Sequence, residues 1–268
     1  MRMTITVVAA ALATLATLPA GAVEPFRTFD NFGSAQIDLS KWQETERVRQ
    51  VRRGALNLMQ RTLPANTSDA GITSVNWNEN IALAISPAVT AIKAKVTVNA
   101  VEASSCSANP SAGQSRARII GGFFNSGTPT PGSQVGDVIA QVRITRFSNS
   151  TDPAGTLRVQ GIASRCLDAT CQQATTLGSI VEMGTVTVGT ATTVQVQWDQ
   201  PTKTFLFGRD GTASGAVVYT DTDTAPPGVL FKQVSTRVDL PNCASAAGSA
   251  ALIDADFDSV QLNRSALP

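Results

Sequence analysis

The stretch TTVQVQWDQPTKTFLFGRDG, residues 192–211, decides what fold to expect. Val194, Val196 and Trp198 alternate with Thr193, Gln195 and Gln197, and after a polar, Pro-containing turn at 199–203 the alternation resumes at Phe205 and Phe207 and closes on Asp210-Gly211. Apolar spacing of two on both sides of such a turn predicts a β-hairpin with one face in a core. The same spacing runs outward in both directions. Upstream, Ile92, Ala94, Val96 and Val98 oppose Lys93, Lys95, Thr97 and Asn99, and Val138, Ala140, Val142 and Ile144 oppose Ile139, Gln141, Arg143 and Thr145. Downstream, 229–240 reads as a further strand, and Ile253, Ala255 and Phe257 oppose Asp254, Asp256 and Asp258. Near the start, 45–50 and 55–60 flank Arg52-Arg53-Gly54 as a further hairpin, and 71–77 reads as a short strand that Asn78-Glu79-Asn80 breaks. About thirteen strands and no window of capped helical spacing predict an all-β, antiparallel two-sheet sandwich. An outer-membrane barrel is disfavoured, because one Tyr and three Trp cannot furnish two aromatic girdles.

Residues 1–22 read as a signal peptide: Met1-Arg2-Met3 is a short positive start, 5–18 is apolar, and Ala20-Gly21-Ala22 is a small-x-small cleavage site. The expectation is export to the periplasm or beyond, with cleavage near Ala22 and a single domain over 23–268. Removal of Arg2 leaves twenty basic residues against twenty acidic ones. That balance argues against nucleic-acid partners and against a membrane-surface role, and no later segment is apolar enough to insert.

Four cysteines in an exported chain make two disulfides with three possible pairings. Cys166–Cys171 is the local clip. Cys106–Cys243 then follows if the strand before Cys106 and the strand after Cys243 are antiparallel neighbours. Zinc is a poor alternative for a chain without histidine.

The order of the pieces resembles the concanavalin A-like lectin and glucanase jelly-roll superfamily. Asp30, Phe32 and Leu39-Ser40-Lys41-Trp42 followed by Gly54-Ala55-Leu56-Asn57-Leu58 resemble its opening strands. The Val194-to-Asp199 hairpin and Ala255-Asp256-Phe257-Asp258-Ser259-Val260 resemble its closing ones. The resemblance implies a jelly-roll sandwich whose last strand pairs with an early long one, which agrees with Cys106–Cys243. It also implies carbohydrate as the partner, bound on the concave sheet.

The Glu-x-Asp-x-x-Glu motif of the superfamily's hydrolases is absent, and with no histidine and a lone Tyr219 the His/Tyr chemistry of its lyases is nearly closed. The chain is therefore read as a lectin-like binding protein, leaning away from an enzyme. The alternatives are a structural or protein-interaction module of the cell envelope, using the 104–114 and 125–136 loops, and a glycoside hydrolase with an atypical carboxylate pair, for which Asp137 and Glu182 are the first residues to test. Trp77 with Asn76 and Asn78 is the most lectin-like local setting, a ring for stacking beside amides for hydroxyls; the bland alternative is a tryptophan covering a sheet edge. Arg47 and Arg49 share a face suited to acidic glycan groups, or form a solvated face offset by Glu44 and Glu46. Arg116, Arg118, Arg143 and Arg146 form a second candidate cationic surface whose strand neighbours the sequence leaves open. Trp42 and Trp198 read as core. No cofactor is expected beyond a structural calcium, which the resemblance places between first and last strands, with Asp30 and Asp256 or Asp258 as the candidate oxygen cage.

Overall fold

The alternation folds as strands throughout the computed structural model, which describes residues 46–62, 75–83, 89–106, 109, 111–243 and 250–263. In chain order the strands are β1 (Glu46–Arg52), β2 (Ala55–Thr62), β3 (Val75–Ala82), β4 (Ala91–Ala103), β5 (Gln114–Asn125), β6 (Asp137–Phe147) and β7 (Thr156–Cys166). They continue with β8 (Ala174–Thr187), β9 (Ala191–Asp199), β10 (Thr204–Arg209), β11 (Thr212–Val218), β12 (Lys232–Leu240) and β13 (Ala251–Leu262). Every described residue belongs to one compact unit of the chain. No helix among the described residues is long and apolar enough to cross a membrane.

Two sheets form, in the orders β1-β2-β13-β4-β9-β10-β11 and β3-β12-β5-β6-β7-β8, and every pairing is antiparallel. This is the two-sheet jelly-roll sandwich expected of the sequence. One side of each strand supplies the core between the sheets: Leu58, Ile92, Val96, Val194, Phe205, Phe207, Ile253 and Phe257 from the first, and Ile119, Val138, Val142, Ile144, Leu157, Val159 and Val238 from the second. Burial of such side chains stabilises by roughly 1.5–3 kcal/mol each, which makes this seam the main source of stability. A register shift in β5 between Gly122 and Phe124 is a bulge that lets the consecutive Phe123 and Phe124 both pack on Phe205 and Trp198. Two hairpins close on two-residue left-handed turns, Arg53-Gly54 (φ 52° and 80°) and Asp210-Gly211 (φ 52° and 84°), the geometry whose twist matches the strands it joins.

The disulfides are Cys106–Cys243 and Cys166–Cys171. β4 and β13 are neighbours with Ala103 opposite Ala251, so the chain leaving β4 lies beside the chain entering β13, and Cys106–Cys243 ties them.

Three expectations are corrected. Asn78-Glu79-Asn80 does not break its strand; β3 runs through it, paired with β12 along its whole length, and the amides fall opposite the polar residues Arg237 and Ser235. The strand read from Val229 begins at Lys232, because the Asp137 carboxylate takes the backbone N–H groups of Gly228 and Val229 and holds them in a loop. Trp198 is only partly buried: its ring packs on Phe123 and Phe124 while Nε1 donates to Tyr219 Oη (2.7 Å). Trp42, like the leader and Asp30, lies outside the described residues.

Candidate functional site

Period-two alternation gives the six-stranded sheet a second face, pointing away from the core, and strand register aligns its residues in rows. One row reads Arg237 (β12), Arg116 (β5), Thr145 (β6), Arg158 (β7). The next reads Asn80 (β3), Ser235 (β12), Arg118 (β5), Arg143 (β6), Gln160 (β7), Glu182 (β8). Beyond it come Gln233, Ile120, Gln141 and Ile162, and then Gly122, Ile139 and Ser164. Guanidinium and amide groups thus occupy one end of the face and aliphatic side chains the other.

Hydrogen bonds hold the guanidinium groups in place. Asp239 takes two of them, Arg116 Nη2 as an ion pair at 3.0 Å and Arg237 Nε as a hydrogen bond at 2.9 Å, while Arg116 Nη1 donates to Gln114 Oε1 (2.6 Å). Arg118 donates from Nη1 to Gln141 Oε1 (3.3 Å) and from Nε to Ser235 Oγ (3.4 Å). Arg143 Nε donates to Gln160 Oε1 (2.8 Å), Gln160 Nε2 donates to Glu182 Oε1 (2.6 Å), and the Arg143 guanidinium lies 5.4 Å from the Phe147 ring centre. Arg158 is held aside by Asp152 at 2.8 Å. Burial pushes the Arg118 guanidinium down to about 9, helped by repulsion from Arg237 and Arg143 and opposed by Asp239. Arg143 is pushed down to about 10, again mainly by burial, with Glu182 and then Asp239 opposing. Guanidinium groups stay protonated at neutral pH, so these downward shifts describe positive charge crowded into a poorly solvated place, which an anion relieves.

Loops wall this face at the aliphatic end and are laced to one another. Gln134 N donates to Ala169 O (3.0 Å), Gly132 N to Gly228 O (3.0 Å), Gly136 N to Cys166 O (3.0 Å), and Asp137 takes Gly228 N (2.7 Å) and Val229 N (3.0 Å). The Cys166–Cys171 clip fixes the loop after β7, with the Asp168 carboxylate accepting the N–H groups of Thr170, Gln172 and Gln173. Between the walls a cleft of about 300 Å³ opens over Arg118, Arg237, Asn80 and Gln233 at its polar end and Ile120, Ile139, Val229 and Phe231 at its apolar end. Gln134, Thr170 and Gln172 complete its rim.

The residues singled out from sequence are dispersed in the fold. Asn76 and Asn78 take β3 positions opposite Asp239 and Arg237, at the edge of this face, while Trp77 stands opposite the core residue Val238. Arg47 and Arg49 are on β1, the edge strand of the other sheet, opposite Gln60 and Leu58. Of the second cationic group, Arg116, Arg118 and Arg143 do come together. Arg146 does not; three residues beyond Arg143, it falls on the opposite side of β6 and donates to the carbonyls of Asp152, Pro153 and Thr156. Arg237 was missed, although Ser235, Arg237 and Asp239 alternate with Val234, Thr236 and Val238. Asp256 and Asp258 lie on the outer face of the seven-stranded sheet, where Asp256 accepts from Asn57 Nδ2 (2.8 Å) and meets Arg52 (3.5 Å), and Asp258 pairs with Lys95 (3.1 Å). Asp137 is buried and fully engaged by the loop it holds, Asn125 Nδ2 included (2.7 Å). It sits six residues along β6 from Arg143, the register position of Glu182, which is on the order of 20 Å of strand. A glycosidase pair needs carboxyl groups about 5–9.5 Å apart, so Asp137 and Glu182 do not form one.

No family model and no curated protein matches the chain. Among solved structures it is similar to the kappa-carrageenase of Pseudoalteromonas carrageenovora in complex with a kappa-carrageenan oligotetrasaccharide, at 10% identity over 90% of this chain and 98% of that one, with a TM-score of 0.35. A family 7 alginate lyase is 15% identical over 80% of both chains (TM-score 0.38), and a carbohydrate-binding module from Bacillus subtilis 7% identical over 81% of this chain and 90% of that one (TM-score 0.29). Likenesses this distant assign no residue and no activity.

Proposed function

We propose that the protein is an exported, non-catalytic carbohydrate-binding module that holds a glycan on the outer face of the six-stranded sheet. The observation that carries this reading is the cleft above β12, β5 and β6, where guanidinium and amide donors stand beside an apolar strip of Ile120, Ile139 and Phe231. Sugars present that combination themselves, hydroxyls at the ring edge and C–H groups on its faces, and a site with few placed polar groups over an apolar floor suits them. The rigid, disulfide-clipped rim favours a preformed site over one assembled on binding. Two disulfides and no free cysteine support a destination outside the reducing cytoplasm.

The placing of the carboxylates supports binding without cleavage. On this face the described strands supply Asp239, Glu182 and Asp137; Asp137 is held by its loop at the far end of β6, and Asp239 and Glu182, on β12 and β8, stand four strand spacings or roughly 19 Å apart. Asp239 is moreover committed to two arginines. Affinity electrophoresis and calorimetry against a panel of neutral and acidic polysaccharides test the proposal: retardation by at least one glycan, with no new reducing ends or unsaturated products on long incubation, is expected. Failure to bind any member of the panel at millimolar saccharide overturns the reading, and product release overturns its non-catalytic part.

A further inference from the structure

We infer that the glycan is anionic, carrying carboxylate or sulfate groups repeated along its chain; the inference rests on the carbohydrate reading and narrows it. Among the described residues Arg116, Arg118, Arg143 and Arg237 face outward from three adjacent strands, against the carboxylates Asp239 and Glu182 and, at the far end of β6, Asp137, which is bound to Gly228 N and Val229 N. Hydroxyl recognition needs amides and a few donors; it does not need four guanidinium groups gathered against their mutual repulsion.

The arginines also keep donors unspent. Arg237 spends Nε on Asp239 and Arg143 spends Nε on Gln160, and the terminal amino groups of both make no hydrogen bond to any described residue. Arg116 Nε is buried without an acceptor. Parallel N–H groups in a planar fork fit a carboxylate or sulfate through two bonds at once. The guanidinium groups are closely spaced. Arg118 faces Arg143 directly across β5 and β6, and Arg237 faces Arg116 across β12 and β5, with directly opposed Cα atoms about 4.5–5.5 Å apart. The two rows are two residues, or roughly 7 Å, apart along the strands. So broad a cationic field serves a series of anionic groups better than a single one. Finally, the field ends where Ile120, Ile139 and Phe231 begin, so acidic groups seated on the arginines leave a neighbouring ring over the apolar strip.

Isothermal titration of the full chain separates the outcomes, using a polyuronate, a sulfated galactan, a neutral β-glucan and single-stranded DNA, each at low and at physiological ionic strength. The expected result is binding to the polyuronate or the sulfated galactan, whichever source of oxyanions the spacing fits, with affinity that falls as salt rises. Arg143→Gln and Arg237→Gln are each expected to weaken it about tenfold or more, the loss of one charge-assisted contact, while Lys95→Gln on the other sheet leaves it unchanged. Two variants guard against misfolding of one, and thermal melts verify both. Equal affinity for the neutral glucan with no effect of either substitution overturns the anionic inference and leaves the carbohydrate reading standing. DNA bound as tightly as any glycan overturns the inference also, and absence of all glycan binding removes both.

Discussion

Asp239 holds two guanidinium groups at once, through Oδ2 to Arg116 and Oδ1 to Arg237, with its own side chain 4% exposed. Removing one member of a buried pair strands the other charge, so Asp239→Asn is expected to cost about 3–5 kcal/mol, read by chemical denaturation. Lys232 is a further buried cation: its Nζ donates to the Gly122 carbonyl and lies 4.6 Å from the Phe123 ring centre, and burial pushes it down to about 8. Its folded-state value lies below the ordinary lysine value of 10.5, so the unfolded chain holds more protons between those limits and stability rises with pH across that window. Denaturation at pH 7.5 and 9.5 is expected to show this gain in the wild type and not in Lys232→Met. At this scale the sequence was legible in pattern and opaque in pairing. Alternation placed Arg116, Arg118 and Arg143 on a face, but which strands lie side by side is set by long-range pairing that spacing does not encode. The same period of two should have parted Arg146 from Arg143, and the Arg237 alternation was there to be read.

Strand β3 shows how an element escapes a pattern. Asn78-Glu79-Asn80 carries no apolar alternation, yet it pairs with β12 because its positions sit opposite the polar residues Arg237, Thr236 and Ser235. The hairpins were legible because Arg53-Gly54 and Asp210-Gly211 supply the left-handed turn chemistry directly. The disulfides belong to elements too, and they differ in role. Cys106–Cys243 closes a 137-residue separation between the ends of β4 and β13, so replacing both cysteines by Ala is expected to lower stability by about 2–5 kcal/mol with little effect on glycan affinity. Cys166–Cys171 spans 5 residues on the rim of the cleft. Its removal is expected to cost about 2 kcal/mol or less and to loosen the rim, so binding weakens more than the melting temperature suggests.

The two outer faces of the molecule are built differently. On the seven-stranded sheet Asp254, Asp256 and Asp258 stand beside Arg52, Lys95 and Asn57, which satisfy them within the fold. On the six-stranded sheet the arginines outnumber their carboxylates and keep donors in reserve beside a walled cleft. The sandwich itself was legible in the alternation, since a two-layer body is what half-buried strands must make. The choice of face was not, because it depends on charges brought together from strands more than a hundred residues apart in sequence, as Arg116 and Arg237 are. Amide hydrogen exchange with and without saturating acidic oligosaccharide tests that choice most directly. Protection confined to β5, β6, β12 and the 166–173 loop is the expected result, and protection confined to β1, β2 and β13 would contradict it.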